Sequence, residues 1–218
     1  MALCIADALR KSARRFPDSL PVSLSQAAEA AAHRQGEFFV SATELCLALE
    51  LYLKALIISS GKQTPRTHDL AELFETLSPA DQAETDALYR RLCAKATPGE
   101  TVGYVIRIQL KDDASTMPPD VSSTNVLPSS SEQTEGLLEV LRRTGSAFST
   151  WRYMYESGRS GEAREFDYEH GLLQLACEAL RRSAYPRFTS TLAASVKAYL
   201  DTGVLPASDE SLGRFLTP

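Results

Sequence analysis

Apolar side chains recur at alternating steps of three and four residues between positions 39 and 56, the spacing of a packed helical face. Four further residues, Leu45, Leu47, Leu51 and Ile57, add apolar surface on the other sides of this helix. A helix that is apolar on several sides is expected at the centre of a bundle or at a subunit interface. Gly61 is a natural C-terminal stop. The main face consists of Phe39, Ala42, Cys46, Leu49, Leu53 and Leu56.

Seven other segments carry helical signals, and several have recognisable ends. Thr67 is predicted to be an N-cap with Asp69 in the following first turn, and Ser78 is predicted to cap the next helix. Pro186 is predicted to separate the last two helices. Whether Gly36 breaks a helix or lies within one is left open. The segments are residues 2–16, Ser23 or Ser25 to Gly36, 70–77, 79 to about 97, 131–155, 168–184 and 188–200.

Residues 98–131 have a different pattern and are predicted to be an insertion within one domain that spans residues 1–218. Residues 104–110 alternate as a strand does, whereas residues 112–131 are rich in Ser, Thr, Pro and Asp and are predicted to form a long surface loop. A β-hairpin, an ordered lid and a disordered loop all stay open for this insertion. Residues 203–218 form an irregular tail. The predicted fold class is all-α, a helical bundle with an irregular, partly extended insertion.

The amino-acid composition narrows the range of functions expected for this chain. The chain has 23 Lys and Arg against 28 Asp and Glu, a net charge of −5, which disfavours binding of long duplex nucleic acid over its whole surface. The cysteines lack a CxxC pair and the three histidines lack metal-ligand spacing, so reduced buried thiols, no metal and no cofactor are predicted. No signal-peptide pattern opens the chain, and Glu50 and Lys54 interrupt its most apolar run, which predicts a cytoplasmic protein that does not enter a membrane.

Three local patterns resemble one family. The apolar segment from Ala48 to Ile58, followed by a glycine and by Thr-His-Asp-Leu at 67–70, resembles the second-helix signature of HEPN domains, the nucleotide-binding domains of higher eukaryotes and prokaryotes. Trp151-Arg152-Tyr153 is similar to an Arg-Tyr element of many members, and the helix from Tyr168 to Leu180 is similar to the next family helix. The resemblance implies a four- or five-helix up-and-down bundle of HEPN type that usually forms a homodimer.

Some HEPN proteins are metal-independent ribonucleases that use an Arg followed, after four to six residues, by a His. The resemblance places Arg152 where that Arg lies, but no histidine follows at the required spacing. Arg164 and His170 do satisfy the spacing and form the alternative catalytic pair. An Arg facing the phosphate and a His that moves the 2′-hydroxyl proton suit this chemistry. His68 with Arg152 or Lys54 could also supply both groups across helices.

Charged residues on the apolar helix predict a polar cluster. Glu50 and Lys54 lie one turn apart, and we expect them to be partly buried and to bond to Arg152 or to the helix start at His68 and Asp69. This cluster can be structural, with His68 bracing the helix start, or it can be a functional pocket. Trp151 is predicted to be in the core, whereas Tyr153 and Glu156 are predicted to form an exposed contact. The basic pairs that suit phosphate or a solvated surface are Arg142-Arg143 and Arg181-Arg182.

The favoured function is a HEPN-like binding or regulatory module of a bacterial nucleic-acid-related or defence system. RNA or a nucleotide is its expected ligand, and a cognate nucleotidyltransferase or antitoxin is an expected protein partner. The first alternative is a toxin-like, metal-independent endoribonuclease that acts as a homodimer. The second alternative is a scaffold that binds a protein partner and no ligand.

Overall fold

The computed structural model describes residues 2–14, 28–109, 120–125, 135–145 and 163–202. A short 3-10 turn, Pro98–Thr101, precedes the first strand. The six α-helices of this part are α1 (Ala2–Ala13), α2 (Ala28–Ser59), α3 (Leu70–Glu75), α4 (Pro79–Cys93), α5 (Leu137–Gly145) and α6 (His170–Thr202). The three strands are β1 (Val102–Gln109), β2 (Asp120–Asn125) and β3 (Ala163–Tyr168).

Helix α2 is the central element, and its helical pattern continues through Gly36. Helices α1, α3 and α6 all pack against it. Because neighbours surround it, apolar side chains on several of its faces are removed from water, as the broad apolar surface predicted. Its fully buried residues include Leu45, Leu49, Tyr52, Leu53, Leu56 and Ile57. The helical bundle predicted from the sequence is therefore confirmed.

The ends of the helices follow local chemistry. Gly61 closes α2 in a left-handed conformation with φ of 76°, which glycine adopts without steric cost. The predicted cap of α3 was off by two residues: Asp69 is the N-cap and accepts from the backbone N–H of Glu72 at 3.0 Å. Thr67 instead accepts from the backbone N–H of Asp69. The Ser78 cap of α4 is confirmed, with its hydroxyl 3.1 Å from the backbone nitrogen of Asp81.

A three-stranded antiparallel sheet with the order β2-β1-β3 adjoins the bundle. Strand β1 confirms the extended pattern, two residues earlier than predicted, and its pairing with β2 forms the ladder of a hairpin. Strand β3 was not predicted; it pairs with the other side of β1, with Tyr168 opposite Tyr104. The helix predicted to start at about Tyr168 starts two residues later, at His170, because Tyr168 ends a strand. The helix predicted from residue 131 begins at Leu137.

Helix α6 contradicts the predicted break at Pro186. It runs without interruption from His170 to Thr202 with this proline inside. A proline removes one backbone donor, and the hydroxyl of Thr189 donates to the carbonyl oxygens of Tyr185 and Pro186 at 3.0 and 3.3 Å. These two carbonyls belong to the turn that follows the proline, whereas the carbonyl that loses its helical donor is that of Arg182, one turn before it. Packing of α6 against α1, α2 and α4 supports the continuous helix.

Three of the four thiols are buried as predicted, at Cys46, Cys93 and Cys177, but Cys4 is exposed on α1. Burial raises the pKa of Cys46 to about 12, and the charge of Glu50 adds to this effect. These buried thiols therefore stay protonated and inert at neutral pH. Within the residues that the structure describes, no helix combines the length and apolar character needed to cross a membrane.

Candidate functional site

Glu50, Lys54 and His68 meet where the C-terminal third of α2 faces the loop before α3, and we call them the Glu50 cluster. The Lys54 ammonium lies 2.7 Å from Oε1 of Glu50. The Nδ1 atom of His68 lies 3.0 Å from Oε2 and 3.1 Å from Oε1 of the same carboxylate. The i,i+4 spacing on α2 brings Lys54 to Glu50. The turn at Gly61 and the following loop return the chain so that His68 reaches the same carboxylate.

The solvent exposure of the side chains in this cluster increases from Glu50 through Lys54 to His68. Only 7% of the Glu50 side chain is exposed, against 25% for Lys54 and 68% for His68. An ionised carboxylate only accepts hydrogen bonds, so Nδ1 of His68 carries the proton in this contact. The buried carboxylate thereby orients the largely exposed imidazole of His68. This is an arrangement that can bind an anion or move a proton.

Asp69, which was predicted to belong to this cluster, instead caps α3. The Asp69 carboxylate also lies close to the last residue of α5. A Cβ atom added at Gly145 would lie 3.3 Å from Oδ1 of Asp69. The carboxyl end of α5 is therefore next to the start of α3. The remaining predicted site residues, Arg152, Tyr153 and Glu156, lie outside the described residues, as does Trp151. Their roles stay predictions.

The Arg164–His170 pair has one member in the sheet and one at the start of a helix. Arg164 lies in β3, opposite Ile108 of β1, and its side chain is outside what the structure describes. His170 is buried, with 5% of the residue exposed, and its Nδ1 lies 2.9 Å from the hydroxyl of Tyr168. Burial, aided by the charge of Arg14, lowers the pKa of His170 to about 4. A buried imidazole with this pKa is a weak base that solvent-borne RNA does not reach.

The two basic pairs are engaged with carboxylates. Arg142 contacts Glu75 and Glu139 at 2.8 and 2.6 Å. Arg143 contacts Glu135 and, at 2.9 Å, Glu169. These contacts link α5 to α3 and to the start of α6. The pair therefore has local counter-charges, which a phosphate ligand would have to displace.

The second basic pair lies on α6 and has similar partners. Arg181 lies 3.1 Å from Asp7 and 3.8 Å from Glu178, and Arg182 lies 2.7 Å from Glu178. Because both guanidinium groups face carboxylates, this pair also favours a structural interpretation over phosphate binding.

A further polar cluster was not predicted, and it centres on Asp7 of α1. The hydroxyls of Tyr52 and Tyr185 donate to its two carboxylate oxygens, and Arg181 donates to Oδ1. Burial by itself raises the pKa of Asp7, but the hydrogen bonds from Tyr185 and Tyr52 and the charge of Arg181 outweigh it, so the pKa lies below its ordinary value. The sequence hinted at this cluster only through an acidic residue, Asp7, next to Ala6, which the structure buries. Sequence spacing could not reveal partners on α2 and α6.

Comparison with known families identifies part of the chain. Residues 24–100, about a third of the chain, match the family model of the HEPN domain. The match covers α2, α3 and α4 and contains the whole Glu50 cluster. HEPN domains are nucleotide-binding or ribonuclease-type modules, and the match supports function at this level. No curated protein and no solved structure matches the chain.

Proposed function

We propose that this protein is a nucleotide- or RNA-binding module whose ligand contact is the Glu50 cluster. One observation carries the proposal. Inside the HEPN match, a buried carboxylate orients an exposed imidazole and holds a partly exposed ammonium beside it. A phosphate in RNA or in a nucleotide suits this pair when the Lys54 ammonium and the Nε2–H of a doubly protonated His68 ring are the two donors.

Each member of the cluster has its own role in this proposal. His68 and Lys54 are the ligand contacts, because their side chains are exposed by 68% and 25%. Glu50 is a positioning residue, because its carboxylate is buried and contacts both of them. The net charge of −5 favours such local recognition over a broad basic surface.

The biological setting belongs to the same proposal. We place the module in a bacterial nucleic-acid-related or defence system, in the cytoplasm and as a homodimer. Its protein partner in this proposal is a nucleotidyltransferase or an antitoxin. The resemblance of the sequence to HEPN domains supports this setting, and a solution measurement of molecular mass tests the dimer.

Binding of short fluorescent single-stranded RNA and of a labelled nucleotide, followed by fluorescence anisotropy, tests the ligand site. Lys54→Met and His68→Ala are expected to weaken binding by about tenfold or more, since each removes a charge-assisted contact. Lys95→Ala is the matched control, because it removes an exposed positive charge at the end of α4. Equal weakening by all three variants contradicts the site. Absence of binding by the unmodified protein contradicts the function and favours the protein scaffold.

A ribonuclease remains the second candidate, and the geometry of His68 favours it over the buried His170. A carboxylate on Nδ1 prepares the opposite nitrogen of an imidazole for proton transfer. Cleavage of RNA by the purified protein without added metal tests this candidate. Loss of cleavage in His68→Ala, with retention in His170→Asn, is the expected pattern. The reverse pattern assigns catalysis to His170 and contradicts the role of His68.

A further inference from the structure

Arg66 lies on the surface of the loop between α2 and α3, two residues before His68. Two residues of chain span at most about 7 Å, so both positions belong to one short stretch of this loop. Both residues are exposed, whereas Thr67 between them is partly buried and its hydroxyl accepts from the backbone N–H of Asp69 at 3.1 Å. A guanidinium is therefore available beside the exposed imidazole of the Glu50 cluster.

The loop that carries Arg66 is held at both ends. Near its start, the Lys62 ammonium donates to the carbonyl oxygen of Thr76, at the end of α3, at 2.6 Å. At its end, Asp69 caps the start of the same helix. Pro65 restricts the backbone immediately before Arg66. A ligand contact on this loop therefore costs little ordering of the backbone.

The charge of Arg66 differs from the charges of the two basic pairs, whose four arginines all contact carboxylates. Within the part of the chain that the structure describes, no carboxylate lies within ion-pair distance of the Arg66 guanidinium. The Glu50 carboxylate contacts Lys54 and His68 instead. Arg66 thus lies beside the Glu50 cluster and not within it, and a phosphate can bind there without displacing a counter-charge.

We propose that Arg66 contacts the phosphate next to the one bound by Lys54 and His68, so that the site takes two consecutive phosphates of a single RNA strand. This inference rests on the proposed function of the Glu50 cluster. The planar donors of a guanidinium suit phosphate oxygens. The two phosphates of a nucleoside diphosphate share one oxygen atom and lie closer together than those of consecutive nucleotides. Because Arg66 lies outside the reach of the Glu50 carboxylate, the wider spacing of an RNA strand fits the site better.

Dissociation constants of AMP, ADP and a short single-stranded oligoadenylate test this inference, measured by chemical-shift titration of the full chain. Arg66→Gln is expected to weaken binding of the oligoadenylate by about fivefold and to leave binding of AMP unchanged, since only the strand supplies the second phosphate. Arg91→Gln is the matched control and is expected to change neither. Arg91 is an exposed arginine in the last turn of α4 that, among the described residues, also has no carboxylate partner.

The salt dependence of oligoadenylate binding gives a second measurement. Each phosphate contact on a single strand contributes a slope of about −0.7 to the logarithm of the affinity against the logarithm of the salt concentration. Arg66→Gln is expected to make this slope shallower by about 0.7. Arg66→Lys, which keeps the positive charge, and Arg91→Gln are expected to retain the slope of the unmodified protein. Thermal unfolding of the variants confirms that the fold is unchanged.

Four other outcomes have distinct meanings. Equal weakening of AMP and oligoadenylate binding by Arg66→Gln places the guanidinium on the first phosphate and overturns the inference. A gain of ADP over AMP that depends on Arg66 and matches the gain of the strand assigns a diphosphate and overturns the RNA strand. Unchanged oligoadenylate affinity and slope in Arg66→Gln, with weakening by Lys54→Met and His68→Ala, overturns the role of Arg66 alone. Absence of binding of every probe by the unmodified protein contradicts the proposed function and this inference with it.

Discussion

Glu50 and His68 form a pair in which one partner is buried and the other is exposed. Nδ1 of His68 lies 3.0 Å from Oε2 of Glu50, while 7% of the Glu50 side chain and 68% of the His68 side chain are exposed. The buried member also contacts Lys54. The carboxylate is therefore expected to matter for stability as well as for ligand binding, whereas the imidazole is expected to matter mainly for binding.

Glu50→Gln is expected to lower the free energy of unfolding by about 1–3 kcal/mol, because a neutral amide replaces the charged acceptor of two donors in a buried site. Urea denaturation at pH 7 measures this loss. Glu84→Gln is the control, since the Glu84 side chain is 69% exposed, and it is expected to change stability by less than about 0.5 kcal/mol. Equal stability of the Glu50 variant and the unmodified protein argues against a buried, charged Glu50.

Much of the Glu50 cluster could be predicted from local sequence. Charges at positions 50 and 54 interrupt a strongly apolar helical face, and the spacing of one turn places them together. The glycine at 61 and the polar loop before residue 70 predict a tight return to a second helix. The geometry of a helix and one loop is enough to bring His68 back to α2. The choice of Thr67 over Asp69 as cap was wrong, since both residue types cap helices well, and Asp69 caps α3 instead of joining the cluster.

The parts that could not be predicted depend on contacts between distant segments. The pattern of residues 163–168 contains three charged residues, and its strand forms by pairing with β1 more than fifty residues earlier. The spacing between Arg164 and His170 cannot reveal how deeply either side chain is buried. In the structure His170 is buried and contacts the hydroxyl of Tyr168. Pro186 was predicted to break a helix, but packing of α6 along the bundle overrides this local preference.

Gly171→Ala is expected to destabilise the protein by about 2–3 kcal/mol, because the new methyl group would lie 2.4 Å from the carbonyl oxygen of Glu100 and two backbones must move apart. Gly61→Asn is the control for loss of a glycine. Gly61 has φ of 76° but no atom within 4 Å of an added Cβ, and asparagine tolerates this conformation, so a loss below about 1 kcal/mol is expected. Thermal unfolding compares the two variants. A greater loss of stability in the Gly61 variant contradicts the close contact between Gly171 and Glu100.

Asp86→Ala is expected to loosen the start of α5. Oδ1 of Asp86 accepts from the backbone N–H of Leu137 at 2.7 Å, and Oδ2 accepts from Arg90. The carboxylate thus caps a helix from a different element, and its removal is expected to cost about 1 kcal/mol. Asp86→Asn keeps an oxygen acceptor and should retain most of the stability. Hydrogen exchange at Val140, whose N–H donates to Gly136, locates the effect, and unchanged protection in the alanine variant contradicts the cap.

Asp7→Asn is expected to remove an acid-dependent part of the stability. The carboxylate accepts from two tyrosine hydroxyls and from Arg181, so the neutral amide should lower the free energy of unfolding by about 1.5–3 kcal/mol at pH 7. Because folding lowers the pKa of Asp7 below 3.8, its charged form stabilises the folded state. This contribution is fully present above pH 3.8 and is lost as the pH falls below that value.

The free energies of unfolding of the unmodified protein and of Asp7→Asn should therefore converge as the pH falls. Urea denaturation of the unmodified protein and of Asp7→Asn at pH 7, 5 and 3 is the measurement. A constant difference at all three values would show that the variant acts through packing and not through charge. Asp69→Asn is the control, because asparagine caps a helix as well as aspartate does and the two should differ little at any pH. Tyr185→Phe, which removes one of the two hydroxyl donors, should reproduce part of the pH-dependent loss, since each donor favours the charged carboxylate.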